Sequence, residues 1–221
     1  MPIPAEWSRS GSIARMPQYT RQPPLDEAAI HKDPLEQLAR WLKDAEAAGM
    51  IEPTAMTLAT ATADGRPSAR IVLYKGAHEG GLTFYTNYDS RKGEELAAND
   101  RAALVFWWDK LERSVRVEGR VARLPRAMSE AYARSRPHGS QLGALTSRQS
   151  RVVASRAELE KRLAENESRL GGAQVPVPES WGGYVLKPEL FEFWQGRRDR
   201  LHDRLVYRAE GKGWRVERLE P

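Results

Sequence analysis

The chain has 221 residues, 40% of them hydrophobic and 29% charged, the balance of a globular protein with core enough for one large domain or two small ones. It has no cysteine, which excludes a disulfide framework, a thiolate nucleophile and a thiolate metal site. A net charge of +5 raises nucleic-acid binding, but the basic residues are interleaved with acids and no helix-turn-helix, zinc-finger or RNP-type pattern occurs.

Residues 1–32 are polar and proline-punctuated, without periodicity, and read as a flexible arm. No apolar run there resembles a signal-peptide core, and a cytoplasmic location is expected. Asp33 caps a helix opened by Pro34, with Leu35, Leu38, Leu42 and Ala45 on one face and Gly49 at its end. From residue 54 the period changes to two. Residues 54–62 and 68–74 read as strands joined by a tight turn at Asp64 and Gly65. Gly80 and Gly81 turn into a strand over 82–86. A helix over 91–98 follows, capped by Ser90 and ended near Asn99, then a buried strand over 102–108. Residues 113–124 alternate Val115, Val117 and Val121 with Arg116, Glu118 and Arg120, as a half-exposed antiparallel strand does. Pro125 breaks the sheet, and a short helix over 126–135 stops before Pro137. Ser155 and Glu158 form a capping box for a helix carrying Leu159, Leu163 and Leu170 and closed by Gly171 and Gly172. Strands return over 183–186, 190–195, 204–208 and 214–219. Strands on both sides of the helices imply one sheet system, a single α+β domain over 33–221 built on an antiparallel barrel.

Several clusters bear chemistry. Arg70 and Lys75 end an apolar strand, and their odd separation points them to opposite faces of a regular strand, either as solubilising charges or as cations for two neighbouring ligands. Tyr85 and Thr86, followed by Ser90, Arg91 and Lys92, place hydroxyls and cations at a helix start. Cations are unfavourable there unless an anion joins them. Tyr132, Arg136 and Ser140, four apart, could present two hydroxyls and a guanidinium fork to one phosphate, or simply be surface. Gln149 and Ser150 lie in a polar run. Between Trp194 and Arg204, five of eleven residues are Arg or His, between two strand-like runs. Crowded cations repel and lose hydration, so such a cluster calls for an anion unless it is a solvated hairpin end. If the segment is extended, Arg200, His202 and Arg204 share one face.

Trp194-Gln-Gly followed by Arg200-Leu-His-Asp-Arg204 resembles the C-terminal signature of the pyridoxine (pyridoxamine) 5′-phosphate oxidases, which use flavin mononucleotide. The preceding segments resemble that family in order and spacing from about residue 33 to residue 221. The resemblance implies a split β-barrel fold and a homodimer with both active sites built across the subunit interface. It assigns Arg70, Ile71, Val72, Leu73, Lys75, Tyr85, Thr86, Arg91, Lys92, Gln149, Ser150, Trp194 and Arg204 to flavin mononucleotide. It gives Lys75, Tyr132, Arg136 and Ser140 to the substrate phosphate, sets Arg200 and His202 beside the pyridine ring as catalytic residues, and implies no metal. One departure is Ser114, where the family commonly has Gln as a flavin contact. Tyr19, in the poorly matching arm, is read as able to close over a ligand. The implied reaction converts pyridoxamine or pyridoxine 5′-phosphate to the aldehyde, with dioxygen reduced to hydrogen peroxide. A split-barrel flavin reductase or carrier and a basic nucleic-acid-binding module are the alternatives.

Overall fold

The computed structural model describes residues 22–221, so Tyr19 and the first part of the arm lie outside the described residues. Helix α1, Pro34–Ala47, begins where Asp33 accepts the Leu35 N–H at 2.8 Å. It buries Leu38, Trp41, Leu42 and Ala45 against the sheet. The Trp41 ring meets Phe193 edge-on, with centroids 5.1 Å apart.

Nine strands follow: β1 (Ala55–Ala61), β2 (Pro67–Leu73), β3 (Ala77–His78), β4 (Gly81–Asn87), β5 (Arg101–Trp108), β6 (Arg113–Arg123), β7 (Trp181–Gln195), β8 (Asp203–Glu210) and β9 (Gly213–Arg218). They form one antiparallel sheet in the order β2-β1-β5-β6-β7-β4-β3, with β8 and β9 added beside β7. Past the end of β2 the chain crosses to β4. Lys75 N–H donates to the Thr83 carbonyl at 2.9 Å and Thr83 N–H to that of Gly76 at 3.0 Å, which brings the two ends of the sheet together. Gly76 makes this crossing at φ +96°, a conformation open to glycine.

Strand β7 is a single strand of 15 residues where hydrophobic pattern predicts two short ones. The register with β6 shifts between Glu118 and Gly119, opposite Pro188. Proline cannot donate to the ladder, so the pattern breaks there while the chain continues past the irregularity. A Cβ on Gly119 would lie 2.0 Å from the Lys187 carbonyl oxygen, so only glycine admits this approach. The first half of β7 pairs with β4 and the second with β8.

Val115, Val117, Phe191, Phe193, Leu104 and Phe106 fill the inside of the barrel. The opposite face of the same strands carries Ile71, Val105, Trp107, Ser114, Trp194 and Arg204. The helices are α2 (Arg91–Ala98), α3 (Arg126–Ser135), α4 (His138–Thr146) and α5 (Arg156–Leu170). Helix α4 has no counterpart in the sequence reading because Gly139 and Gly143 interrupt its short apolar period. Only half of the expected capping box forms at α5. Ser155 caps the Glu158 N–H at 3.2 Å, while the Glu158 carboxylate takes Arg162 Nε at 2.8 Å instead.

Over residues 22–32, the described part of the arm, the chain is tied to the body of the fold. Arg218 forks onto Glu27 at 2.7 and 2.8 Å, Leu25 N–H donates to Asp203 at 3.0 Å, and the Tyr207 hydroxyl donates to the His31 carbonyl at 2.7 Å. These anchors use charge and backbone, which leave no hydrophobic period to detect.

Candidate active site

A cavity of about 520 Å³ opens where the end of β2, strand β4 and the starts of α2 and α4 converge. Arg70, Ile71, Val72, Leu73, Lys75, Tyr85, Thr86, Lys92, Tyr132, Arg136, Ser140 and Gln149 all line it, so most of the residues picked out by spacing or resemblance meet in one place. The expectation that Arg70 and Lys75 face apart is overturned. Strand β2 ends at Leu73, and Lys75 has already turned to pair with β4, so the two-residue alternation no longer relates them.

Lys92 is buried at the first turn of α2, beside Thr86 at 3.1 Å, Ser90 at 3.2 Å and Gln149 Oε1 at 2.7 Å. All three partners are neutral, and among the described residues Lys92 forms no salt bridge. Burial first, then the neighbouring Arg70 charge, bring its pKa down to about 8, against the pull of Glu95. A helix start that already favours anions thus holds a cation that no carboxylate contacts among the described residues.

Arg70 and Arg91 differ from Lys92 because Glu95 neutralises them. Its buried carboxylate takes Arg70 at 3.2 Å, Arg91 at 2.8 Å and the Ser68 hydroxyl at 2.6 Å, and the Thr60 hydroxyl as well. Burial alone would raise the Glu95 carboxyl, but the hydrogen bonds from Ser68, Thr60, Arg91 and Arg70 together outweigh it and hold it at about 2. Arg91 does not reach the main cavity. Its side chain is 64% exposed and borders a separate hollow with Arg66 and Glu94. Ser150 is exposed, at φ +70°, and is also outside the lining.

Tyr85, Tyr132 and Trp181 stack in near-parallel planes on one wall, with Tyr85 and Tyr132 centroids 3.9 Å apart. Arg136 lies over the Trp181 ring, 4.9 Å from its centroid. Its Nη1 is buried and has no hydrogen-bond partner among the described residues. A buried, unpaired charged donor costs about 1–3 kcal/mol or more, so this atom calls for an acceptor from a ligand.

Trp194, Arg200, His202 and Arg204 form a second group that does not line this cavity. Trp194 and Arg204 are register partners across β7 and β8, and Ser114 is the partner of Trp194 across β6. The extended segment expected from Arg200 to Arg204 does not form before Asp203. Residues 196–202 make a loop with a tight turn over Arg198–Arg200, where Asp199 and Arg200 adopt φ +56° and +64°. Seven residues must reverse the chain between Gln195 and Asp203, and an extended run cannot do that. His202 packs at a tilt of 44° against Trp194, with ring centroids 4.7 Å apart, and Arg204 is held by Glu192 at 2.8 Å.

Sequence reasoning missed Trp181 and Glu95. Trp181 precedes Gly182 and Gly183, and a Cβ on Gly183 would stand 2.7 Å from the Tyr85 ring. An aromatic beside a glycine pair was the available signal. Glu95 reads as an ordinary exposed helix acid in a run of charges.

The fold and cleft define an α+β split-barrel protein with a cavity suited to anions: Lys75, Lys92 and Arg136 line it and form no salt bridge among the described residues, beside an aromatic wall and a helix start. These residues fit phosphorylated aromatic ligands, since Lys92 and the orphaned Arg136 Nη1 are both donors suited to phosphate oxygens. Comparisons with known proteins agree. The family model described as pyridoxamine 5′-phosphate oxidase matches residues 42–169, and that described as the pyridoxine 5′-phosphate oxidase C-terminal dimerisation region matches residues 181–221. A pyridoxine/pyridoxamine 5′-phosphate oxidase from Rubrobacter xylanophilus is 57% identical over 92% of this chain and 94% of its own. One from Bordetella petrii is 53% identical over 95% of this chain and 100% of its own. Among solved structures, PhzG from Burkholderia lata, in complex with tetrahydrophenazine-1-carboxylic acid, superposes with a TM-score of 0.83. It has 32% identity and covers 89% of this chain and 98% of its own. The chain belongs to the pyridoxamine 5′-phosphate oxidase family of oxidoreductases.

Proposed function

We propose that this protein oxidises the 4′ carbon of pyridoxamine 5′-phosphate or pyridoxine 5′-phosphate to the aldehyde of pyridoxal 5′-phosphate, with flavin mononucleotide as cofactor. The observation that carries this reading is the presence, in one cavity, of Lys92 with only neutral partners and Arg136 with a buried unpaired donor. One phosphate is assigned to Lys92, Thr86 and Gln149, the flavin's. A second is assigned to Arg136, Ser140, Tyr132 and Lys75, the substrate's.

When bound, the flavin supplies the two-electron acceptor, and dioxygen reoxidises it with release of hydrogen peroxide. The chain's own contribution is orientation. Anchoring the substrate phosphate far from the reacting carbon restricts the ring, and positioning of this kind contributes up to roughly 7 kcal/mol of barrier reduction. Arg200 and His202 hold the pyridine ring, and Trp194 and Arg204 contact the flavin.

These four residues stand apart from the cavity within one chain, and the reading is that a second copy brings them to it. The sheet face bearing Trp194 and Arg204 also carries Ile71 and Trp107, which are 64% and 48% exposed. That apolar surface, with the match of residues 181–221 to a dimerisation region, supports a homodimer whose sites draw on both copies.

The test is anaerobic mixing of the yellow protein with pyridoxamine 5′-phosphate, after acid release identifies the flavin. Bleaching of the flavin with formation of the aldehyde is expected. Flavin mononucleotide that stays oxidised with both vitamin phosphates, but bleaches with another reduced heteroaromatic compound, would assign the site to a different substrate.

A further inference from the structure

Arg197 lies in the loop between β7 and β8, and its two ends do different things. Its guanidinium is tied down twice: Nη1 donates to the Gln22 carbonyl at 2.7 Å, and Nε faces the Asp203 carboxylate at 3.6 Å. Asp203 is in turn held by the Leu25 N–H at 3.0 Å and by Arg218 at 2.8 Å. The Arg197 backbone N–H donates to His202 Nδ1 at 3.0 Å. The loop between these two residues contains two non-glycine positions at positive φ, Asp199 and Arg200, so its backbone does not relax to this shape by local preference.

An imidazole nitrogen that accepts a hydrogen bond carries no proton. With Nδ1 committed to the Arg197 N–H, the neutral ring of His202 bears its proton on Nε2. We propose that Arg197 is a positioning residue for His202: by anchoring the loop to Asp203 and to the segment at Gln22, it fixes His202 as a neutral imidazole that donates through Nε2. Protonation of Nδ1 would set two N–H groups against each other. Burial, then the Arg200 charge, also disfavour the imidazolium, while Asp203 favours it. The Trp194 ring, 4.7 Å away, restrains the plane of the imidazole. In the ring-facing pair of the proposed active site, the positive charge then belongs to Arg200 alone and His202 contributes a directed donor. This last step rests on the proposed function; the tautomer does not.

The experiment is side-chain nitrogen NMR of His202 in the flavin-loaded, full-length protein near pH 7.5, for the parent and for Arg197→Ala. Arg197 has φ −138° and ψ 161°, a backbone that alanine adopts freely. The parent is expected to show one neutral tautomer, protonated on Nε2. Arg197→Ala is expected to show a mixture of tautomers, a kcat lowered about fivefold and a KM within twofold, with flavin content unchanged. Arg197→Lys, which can hold Gln22 or Asp203 but not both, should fall between; it replaces the alanine variant if that fails to fold. An imidazolium or an Nδ1–H ring in the parent, or an unchanged His202 signal in the variants, overturns the proposal. A shifted tautomer in a protein that does not oxidise pyridoxamine 5′-phosphate upholds the positioning role and sinks the substrate assignment instead.

Discussion

Gln149 Oε1 stands 2.7 Å from the Lys92 ammonium across 57 residues of sequence, and the same oxygen accepts the Thr86 hydroxyl at 3.0 Å. The loop after α4 therefore closes over the start of α2, and a buried cation waits there with neutral company. Its pKa of about 8 gives a sign to the pH dependence of cofactor binding. The folded value is depressed below that of an unfolded lysine, so in the apoprotein the buried charge costs stability below pH 8. That cost disappears as pH rises through about 8 to 10.5. A phosphate bound at Lys92 favours the charged form, so binding takes up a proton above pH 8 and affinity falls. Titration of the apoprotein with flavin mononucleotide should show weakening between pH 8 and 9.5, approaching tenfold per unit. Lys92→Met should bind more weakly at pH 7 and lose this slope. A slope that survives in Lys92→Met would assign the titration to another group.

Glu95 is the counterweight to Arg70 and Arg91. Glu95→Ala would leave Arg70, only 20% exposed, without its carboxylate, and should cost about 3 kcal/mol in denaturant unfolding. Glu95→Gln keeps an acceptor for Thr60 and Ser68 and should cost less. The folded pKa lies near 2, below the unfolded value, so this contribution is present above about pH 4.5 and is lost as pH falls through 2. Equal unfolding midpoints for the parent and Glu95→Ala would show that solvent already does the work of the carboxylate.

The helix from Arg91 to Ala98 and its Ser90 cap were legible because capping and charge act within one turn. The grouping of Tyr132, Arg136 and Ser140 was legible in their spacing of four, but that Lys75 joins them was legible only as a resemblance, since it lies on a separate stretch of chain past β2. Trp181 and Glu95 were not legible, because a wall of stacked rings and a buried carboxylate depend on partners distant in sequence. The turn at Asp199 and Arg200 was hidden for another reason: positive φ at non-glycine residues breaks the local rule by which loops are read.

Arg200, His202 and Arg204 separate by role. If Arg200 and His202 hold the pyridine ring, their contacts strengthen in the transition state, and their loss lowers kcat as well as weakening binding. Arg200→Leu should slow anaerobic flavin reduction at saturating substrate by at least about tenfold, roughly 1.4 kcal/mol. His202→Asn should slow it less, because an amide still donates one hydrogen bond. Arg204→Leu should instead lower flavin retention, and it also leaves the Glu192 carboxylate to Arg116 alone. Parent-like single-turnover rates for both Arg200→Leu and His202→Asn would remove those residues from catalysis.

Arg136 and Arg200 fall in different groups of side chains, and a twofold dimer with shared sites makes a quantitative demand on them. On the proposed assignment Arg136→Ala removes an anchor of the substrate phosphate, worth about 1.5–3 kcal/mol, and each single variant alone should be nearly inactive at low substrate. When the two variants are dissociated and mixed, random pairing makes about half of the dimers mixed. In a mixed dimer with sites shared between copies, one site collects both substitutions and the other collects none. Activity should therefore recover to about a quarter of the parent value. Sites contained within one chain permit no recovery, because every copy carries a defect. Light scattering checks that the mixture is dimeric, and activity that stays at the level of the separate variants would place Arg136 and Arg200 in the same subunit's site.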